Sequence, residues 1–290
     1  MIWGVSFVAQ RAGMEHVGPF TFNAIRFALG SLSLVPLWWL QRCRSPAAAA
    51  ALPARDRSVL TAGLTAGCVL FLAVSLQQIG LVHTTAGKAG FITGLYVVLV
   101  PIIGLAWGHR AGPGGWLGVA LAAVGLYLLS AAGGVSIGLG DTLVSVGAVF
   151  WALHLLVIAR WARRVAAIRL ALLQFAVCSL MSFVVAVLAE SISREKLWAA
   201  AVPILYAGLL SVGVAYTLQV LAQRDANPTA AAILLSLEAL FAALGGWVLL
   251  GETLSLREAS GCLLMLGAVL VSQLFRGPAP IEEPEPTRAT

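Results

Sequence analysis

Residues 59–81 read VLTAGLTAGCVLFLAVSLQQIGL, a stretch that contains no Asp, Glu, Lys or Arg. An α-helix needs about 20 mainly apolar residues to cross the hydrocarbon core of a bilayer. Comparable stretches follow one another along the chain and are separated by short connections. Of the 290 residues, 60% are hydrophobic and only 10% are charged, whereas a typical soluble domain carries about 25% charged residues. The sequence therefore predicts an integral membrane protein whose apolar surface is covered by lipid.

The apolar stretches predict an all-α fold with ten transmembrane helices. Their expected bounds are 1–12, 20–40, 59–81, 85–108, 115–132, 142–159, 170–189, 199–222, 229–250 and 259–275. The first stretch is short, because 12 residues of helix reach only about 18 Å. We expect either a missing segment of about ten residues before Met1 or a half-helix at this place. We favour the missing segment, because Ile2, Trp3 and Gly4 resemble the middle of a span.

The basic residues predict the orientation, because cytoplasmic loops of membrane proteins are rich in Lys and Arg. One set of loops contains Arg42, Arg44, Arg55, Arg57, Arg110, Arg160, Arg163, Arg164, Arg169 and Arg224, and the tail adds Arg276 and Arg288. The opposite set holds Arg11, Arg194, Lys196 and Arg257. We therefore predict a multi-pass protein of the inner or plasma membrane with both termini in the cytoplasm. The tail, 276–290, is rich in Pro and Glu and is expected to be disordered.

Two halves of the chain carry matching residues, which indicates an internal repeat. Leu76-Gln77 matches Leu218-Gln219, Gly108 matches Gly251, Gly118 matches Gly261 and Ser130 matches Ser272, with an offset that is constant to within one residue. Trp3 and Trp151 lie at comparable places in the first span of each half. We predict two five-helix repeats, 1–133 and 141–275. Five is an odd number, so the repeats have opposite orientations, an arrangement found in many secondary transporters.

Two segments resemble a known family. GFITGLYVVLVP at 90–101 resembles the fourth span of EamA-like members of the drug/metabolite transporter superfamily, and LEALFAALGGWVLLGE at 237–252 resembles the ninth. The chain departs from the family at Ala239, where a Pro is usual, and at His109, where many members have Glu. The resemblance implies ten spans, two inverted halves and export of amino acids or related metabolites. A closer likeness to the aromatic-amino-acid exporters of the YddG type is left open.

Ionisable residues inside spans are candidates for transport, because such groups are costly in lipid and tend to mark pathways. Lys88 lies near a helix N-terminus and could hold a substrate carboxylate, or could snorkel to the interface. Glu238 lies near the midplane and could bind an amine or a coupling proton, or could bond structurally between helices. His154 could relay protons or be hydrogen-bonded in place. Arg26 could reach the interface or pair with a carboxylate.

Polar and aromatic residues complete the predicted site. Tyr216, Gln219 and Gln223 recur at helical spacing and share one face of the eighth span, and Gln77 and Gln78 occupy the matching region of the third. These amides could bind substrate or hold helices together. The aromatics that could line a cavity for an apolar or aromatic group, or could instead contact lipid, are Trp3, Phe7, Phe91, Tyr96 and Trp151. The predicted substrate-binding residues are therefore Lys88, Glu238, Gln77, Gln78, Tyr216, Gln219, Trp3, Trp151, Tyr96 and His154.

The sequence lacks the motifs of several common enzyme and nucleotide-binding classes. We find no G-x-x-x-x-G-K-[ST] phosphate loop, no H-E-x-x-H zinc motif and no G-x-S-x-G elbow. We therefore expect no catalytic residues, metal or cofactor. The net charge of +6 does not indicate nucleic-acid binding, because the basic residues lie in short loops.

The combined features predict a secondary transporter that exports small metabolites by alternating access around a midplane cavity. Amino acids are the substrate class that we favour. Its partners would be a small-molecule substrate, the lipid bilayer and, as one option, a coupling proton; the oligomeric state is open. One alternative is an extruder of drugs or organic cations. Another, from a different class, is an intramembrane enzyme or a scaffold.

Overall fold

A computed structural model describes residues 1–44, 56–130, 138–250 and 255–275. All regular structure in these ranges is helical, which confirms the predicted all-α class. The helices are α1 (Ile2–Met14), α2 (Pro19–Arg44), α3 (Asp56–His83), α4 (Ala86–Gly94), α5 (Tyr96–Ala106), α6 (Pro113–Ser130), α7 (Leu139–Trp161), α8 (Ala167–Ala189), α9 (Arg194–Ala199), α10 (Ala201–Leu205), the π-helical segment π1 (Tyr206–Tyr216), α11 (Thr217–Ala222), α12 (Pro228–Leu250) and α13 (Leu256–Leu274). The predicted disordered tail, 276–290, lies outside the described residues.

Helix starts are specified by local sequence. Pro19, Pro113 and Pro228 each occupy the first position of a helix, where the missing N–H would have had no partner. Ser255 caps α13 with a capping box: its Oγ accepts from the N–H of Glu258 at 3.3 Å, while Glu258 accepts from the N–H of Ser255 at 2.8 Å. These residues specify where α2, α6, α12 and α13 begin.

The start of α2 is capped by a side chain from another helix. The carboxylate of Glu190, at the end of α8, accepts from the N–H groups of Phe20 and Thr21, each at 2.8 Å. It also accepts from the Thr21 hydroxyl at 2.6 Å. A carboxylate is well placed there, because a helix N-terminus carries free N–H donors and partial positive charge. Glu190 therefore ties α2 to α8 at one end of the bundle.

Within the described residues, six helical stretches are long and apolar enough to cross a membrane: Pro19–Cys43, Arg57–His83, Lys88–Ala106, Leu139–Trp161, Ala167–Ala189 and Ala201–Ala222. Pro113–Leu128 and Pro228–Phe241 are shorter apolar helices. Large apolar side chains face outwards; Leu188 is 81% exposed and Val202 is 77% exposed, as expected for surfaces in contact with lipid. The protein is thus a multi-pass membrane protein, whereas the count of ten spans stays a prediction.

Two predicted spans are not continuous α-helices. The stretch predicted at 85–108 divides into α4 and α5 at Leu95, whose N–H bonds to the carbonyl of Ile92 at 3.2 Å. Gly94 weakens the helix just before this point, and Pro101 within α5 offers no N–H to the carbonyl four residues earlier. The stretch predicted at 199–222 contains α10, π1 and α11 instead of one α-helix.

Helices pack closely where glycine faces a neighbour. α2 packs against α8 and π1, α3 against α7 and α8, and α6 against α13. A Cβ placed on Gly30 of α2 would lie 2.2 Å from a methyl group of Val212, and one on Gly125 of α6 would lie 2.8 Å from the carbonyl of Gly261. A Cβ at either position would therefore clash with the neighbouring helix, and the small glycine residue lets the two membrane helices pack closely. The central helices surround a cavity, which is the candidate site.

Candidate functional site

A cavity of about 460 Å³ lies between the helices near the middle of the bundle. Its lining comes from α1, α3, α4, α5, α7, π1, α11 and α12 and consists of Trp3, Ser6, Phe7, Gln10, Gln77, Thr93, Tyr96, Trp151, Leu155, Ser211, Tyr216, Gln219, Leu235 and Glu238. Glu238 is ten residues into α12, which corresponds to a depth of about 15 Å. The 460 Å³ counts all space between the lining atoms, including the part that is open to solvent.

The structure brings together most of the residues that the sequence singled out. Those found in the lining are Trp3, Gln77, Tyr96, Trp151, Tyr216, Gln219 and Glu238. Lys88, Gln78 and His154 are not part of it.

Aromatic rings form one wall of the cavity. Tyr216 is at its centre: its ring stacks on Trp151 with centroids 5.9 Å apart and an interplanar angle of 11°, and it contacts Trp3 at 4.7 Å. Phe27 and Phe175 pack against Tyr216, each at 6.2 Å. Aromatic pairs at these distances are favourable beyond their burial and hold each ring in one orientation. The wall offers flat faces to an apolar, aromatic or cationic group.

A chain of hydrogen-bonded polar side chains crosses a second wall. Gln77 is at its centre, because its Oε1 accepts from Trp151 Nε1 at 2.7 Å and its Nε2 donates to Gln10 Oε1 at 3.4 Å. Gln10 Nε2 in turn donates to Ser6 Oγ at 3.1 Å, and Ser6 donates to Ser211 Oγ at 3.2 Å. This chain joins α1, α3, α7 and π1. It presents amide and hydroxyl groups that can serve as donors or acceptors to a bound solute.

Glu238 is the single carboxylate among the described lining residues. Its side chain is buried, and its Oε1 accepts a hydrogen bond from the hydroxyl of Tyr96 at 3.3 Å. On the neighbouring surface Gln219 Nε2 donates to Gln223 Oε1 at 3.0 Å, and Gln223 Nε2 donates to the carbonyl of Leu155 at 3.1 Å. Glu238 therefore keeps lone pairs for a cationic group that enters the cavity.

Lys88 lies away from the cavity, at the end of the bundle where α3 ends and α4 and α7 begin. Its Nζ is 3.8 Å from Asp141 Oδ2, and its side chain is 36% exposed. Thr84 donates to the other carboxylate oxygen of Asp141 at 2.5 Å, and Arg11 donates to the carbonyls of Leu81 and Thr84. The predicted role of Lys88 as the holder of a carboxylate in the cavity therefore has no support in this conformation. We call Arg11, Thr84, Lys88 and Asp141 the terminal cluster.

Gln78 and His154 are buried behind the cavity lining. His154 Nε2 donates to Gln174 Oε1 at 2.8 Å, and its ring meets that of Trp151 edge-on at 5.9 Å. Neither amide atom of Gln78 has a hydrogen-bond partner within the part of the chain that the structure describes. His154 thus supports Trp151 from behind, and neither side chain lines the site.

The cavity combines three kinds of surface: aromatic faces, a neutral polar wall and one carboxylate. Such a set can hold a solute that has an apolar body and an amine. Within the described ranges no group of three or more His, Cys, Asp or Glu is placed to hold a metal ion. The arrangement is suited to binding a solute, and comparison with known proteins identifies the class.

The sequence profile of the EamA-like transporter family matches residues 1–131 and again residues 138–273. The chain belongs to the EamA-like transporter family. Two relatives of this EamA-like protein come from Archaeoglobus fulgidus, and both carry the name "Uncharacterized transporter". The first is 31% identical over 94% of this chain and 83% of its own length. The second is 25% identical over 94% of this chain and 93% of its own length.

A solved crystal structure has the same fold as this EamA-like transporter. The TM-score is 0.71, and the match covers 94% of this chain and 95% of the other at 17% sequence identity. At 17% sequence identity, the similarity shows that the two proteins share a fold and nothing more. The family match and the named relatives make the protein a membrane transporter.

Several lining residues of this EamA-like transporter were not predicted: Ser6, Gln10, Thr93, Leu155, Ser211 and Leu235. Phe7, which the sequence offered as a possible cavity aromatic, also lines the cavity. Ser6 and Gln10 are four residues apart on α1, a spacing that places them on one face together with Trp3. That pattern could have found them. Nothing in the sequence marks Leu155 or Leu235, because apolar residues at such positions look the same whether they face lipid, a neighbouring helix or a cavity.

Proposed function

We propose that this EamA-like transporter exports amino acids or related amine-bearing metabolites, with the ammonium group held at Glu238. The observation that carries the proposal is a buried carboxylate beside the stacked rings of Trp151 and Tyr216 in one cavity. A charged hydrogen bond to a carboxylate is roughly twice as strong as a neutral one. The aromatic faces would hold the apolar side chain, so aromatic amino acids are included.

The proposed mechanism is alternating access between two inverted five-helix repeats, 1–133 and 141–275. The twofold match of one family profile supports it. Tyr96 and Glu238 also support it: they are 142 residues apart, the offset of the repeat, and they share a hydrogen bond. Equivalent positions meet in this way next to a two-fold axis, where transporters of inverted-repeat design bind substrate. The C-terminus is proposed to lie on the cytoplasmic side of the membrane. Protonation of Glu238 is the proposed route for coupling transport to a proton.

The same cavity favours one alternative, which is extrusion of organic cations. Among the described lining residues Glu238 is the carboxylate, and Lys or Arg is absent from that set. A cation without a carboxyl group would therefore meet aromatic faces and a carboxylate. The two proposals differ in whether a carboxylate on the solute is needed.

Counterflow into proteoliposomes tests the proposal. The panel consists of phenylalanine, phenethylamine, phenylpropionate and a nucleoside, each tested against trapped unlabelled solute. We expect exchange of phenylalanine and no exchange of phenylpropionate, which lacks the amine. Exchange of phenethylamine without phenylalanine would replace amino-acid export by organic-cation extrusion. Exchange of phenylpropionate at the rate of phenylalanine, or no exchange of any solute, would refute the proposed role of Glu238.

A further inference from the structure

The orientation of the Gln77 amide is set by a neighbour that can only donate. The indole Nε1 of Trp151 lies 2.7 Å from Gln77 Oε1, and an indole N–H does not accept hydrogen bonds. Gln77 must therefore turn its oxygen towards Trp151 and its NH2 group away from it. The hydroxyl of Thr93 approaches the same oxygen at 3.5 Å as a second donor. The oxygen of Gln77 is thus occupied within the protein, and its N–H groups are the part that can serve a solute.

The NH2 group of Gln77 has a donor that the protein does not use. A side-chain amide nitrogen carries two N–H groups. Among the described residues, one of them is directed at Gln10 Oε1 at the long distance of 3.4 Å, and the second has no acceptor. Gln77 is part of the cavity lining. A carboxylate accepts hydrogen bonds and donates none, so it is the group that complements this donor.

The amide of Gln219, which also lines the cavity, has the opposite polarity. Gln223 Nε2 donates to the backbone carbonyl of Leu155 at 3.1 Å, and a carbonyl can only accept. Gln223 must therefore turn its oxygen towards Gln219, whose Nε2 donates to it at 3.0 Å. The oxygen of Gln219 receives no hydrogen bond within the described part of the chain. It is an acceptor, and an ammonium group is the group that complements it.

The donor at Gln77 and the carboxylate of Glu238 border the same part of the cavity. Thr93, which contacts Gln77, and Tyr96, which contacts Glu238, are three residues apart and both line the cavity. Leu95 between them keeps right-handed helical dihedral angles, with φ −62° and ψ −13°. Side chains three residues apart on a helix are neighbours, with Cβ atoms about 5–6 Å apart. This closeness matters because the ammonium and carboxylate of an α-amino acid are bonded to one carbon.

We propose that Gln77 and Gln219 are specificity-determining residues that recognise the two charged groups of an α-amino acid. Gln77 donates an N–H to the carboxylate, and the oxygen of Gln219 accepts from the ammonium group that Glu238 holds. This inference rests on the proposed amino-acid transport and extends it, because it gives the carboxylate of the solute a partner. A plain amine uses Gln219 and Glu238 and leaves the donor of Gln77 unpaired. The two amides therefore select amino acids over plain amines.

The experiment measures the apparent affinity for phenylalanine and for phenethylamine, which lacks the carboxylate, as competitors of labelled phenylalanine in proteoliposome counterflow. For wild type we expect phenethylamine to bind about tenfold or more weakly, because one hydrogen bond to a charged group is missing. Gln77→Met should weaken phenylalanine about tenfold and phenethylamine by less than about threefold. Gln219→Met should weaken both solutes by the same factor, because both carry the ammonium group.

Gln78→Met is the matched control, because Gln78 is the next residue on α3 and is buried, but it is not part of the lining. It should leave the ratio of the two affinities unchanged. Equal losses for both solutes in Gln77→Met, or a loss confined to phenylalanine in Gln219→Met, would overturn the inference while wild-type phenylalanine exchange upholds the proposed function. If Gln77→Met does not fold, wild type decides: equal affinities for the two solutes overturn the carboxylate contact, whereas no phenylalanine exchange refutes the proposed function itself.

Discussion

Replacing Glu238 with glutamine removes the charge of the proposed ammonium site and leaves its shape unchanged. The Tyr96 hydroxyl, 3.3 Å from Glu238 Oε1, can donate to the glutamine oxygen in the same way. The side chain is only 8% exposed, so little water is available to replace the lost interaction. The variant therefore isolates the charge of the carboxylate.

The magnitude follows from the difference between two hydrogen bonds. A bond to a charged group contributes about 1.5–3 kcal/mol and a neutral one about 0.5–1.5 kcal/mol. The difference of about 1–2 kcal/mol corresponds to a fivefold to thirtyfold weaker affinity, since about 1.4 kcal/mol is a factor of ten. We expect the apparent KM for phenylalanine to rise by this factor in Glu238→Gln.

The assay is the initial rate of counterflow as a function of solute concentration. Glu195→Gln provides the control, because Glu195 is an exposed carboxylate on the short helix α9. The thermal unfolding temperature in detergent should be similar for both variants and wild type. If Glu238→Gln is folded and its apparent KM for phenylalanine equals that of wild type, the ammonium site is not at Glu238.

Three further substitutions test how the bundle holds the cavity, each by thermal unfolding in detergent. Glu190→Gln weakens the three hydrogen bonds at the start of α2 and should lower stability by about 1 kcal/mol, whereas an unchanged unfolding temperature would show that the cap contributes nothing. Gly30→Ala places a methyl group 2.2 Å from the side chain of Val212 and should lower the free energy of unfolding by about 1–3 kcal/mol. Gly267→Ala is the control, because the space around Gly267 is open and the substitution should not destabilise the protein. Equal changes in unfolding temperature for the two variants would contradict the close packing at Gly30. Trp151→Phe keeps a smaller aromatic ring but removes the indole N–H and its 2.7 Å hydrogen bond to Gln77, so a loss of about 1–3 kcal/mol is expected. No loss would mean that water or another donor takes its place.

Hydrophobicity was sufficient to predict the helices, because each apolar stretch has one favourable structure in lipid. α8, predicted at 170–189, is Ala167–Ala189, and α12 begins at Pro228, as its position before the apolar stretch indicated. The break at Leu95 and the π-helical segment were not predicted. Gly94, Pro101 and Pro203 weaken these helices, but a glycine or proline alone does not determine whether a helix bends, breaks or adopts π-helical geometry.

Part of the candidate site was predictable, because polar residues are rare inside membrane spans and those that occur there are easily recognised in the sequence. Gln77, Gln219 and Glu238 stood out for this reason, and the structure places all three in the lining. Lys88 stood out equally, but its side chain forms an ion pair with Asp141. Nothing in the sequence indicates that these two residues are in contact. The role of a charged residue depends on which helix it faces, and that information is in the three-dimensional arrangement.

Helix contacts could not be predicted from glycine spacing alone. Gly90 and Gly94 lie on one stripe, yet a Cβ on Gly90 would find its nearest neighbour at 3.8 Å, an ordinary contact, whereas one on Gly94 would lie 3.1 Å from Leu126. Still closer approaches occur at glycines outside this stripe, such as Gly30 and Gly125, which face side-chain or backbone atoms of another helix. A stripe of small residues permits close packing but does not require it.

The pairing of Tyr96 with Glu238 has a consequence for how a solute is oriented. Two identical halves around an axis would offer the same group to both ends of a bound molecule, which could then enter in either direction. Here a phenol stands on one side and a carboxylate on the other, so the two directions differ in energy. Under the proposed inverted-repeat arrangement, divergence at one pair of equivalent positions is enough to make a near-symmetric chamber distinguish head from tail.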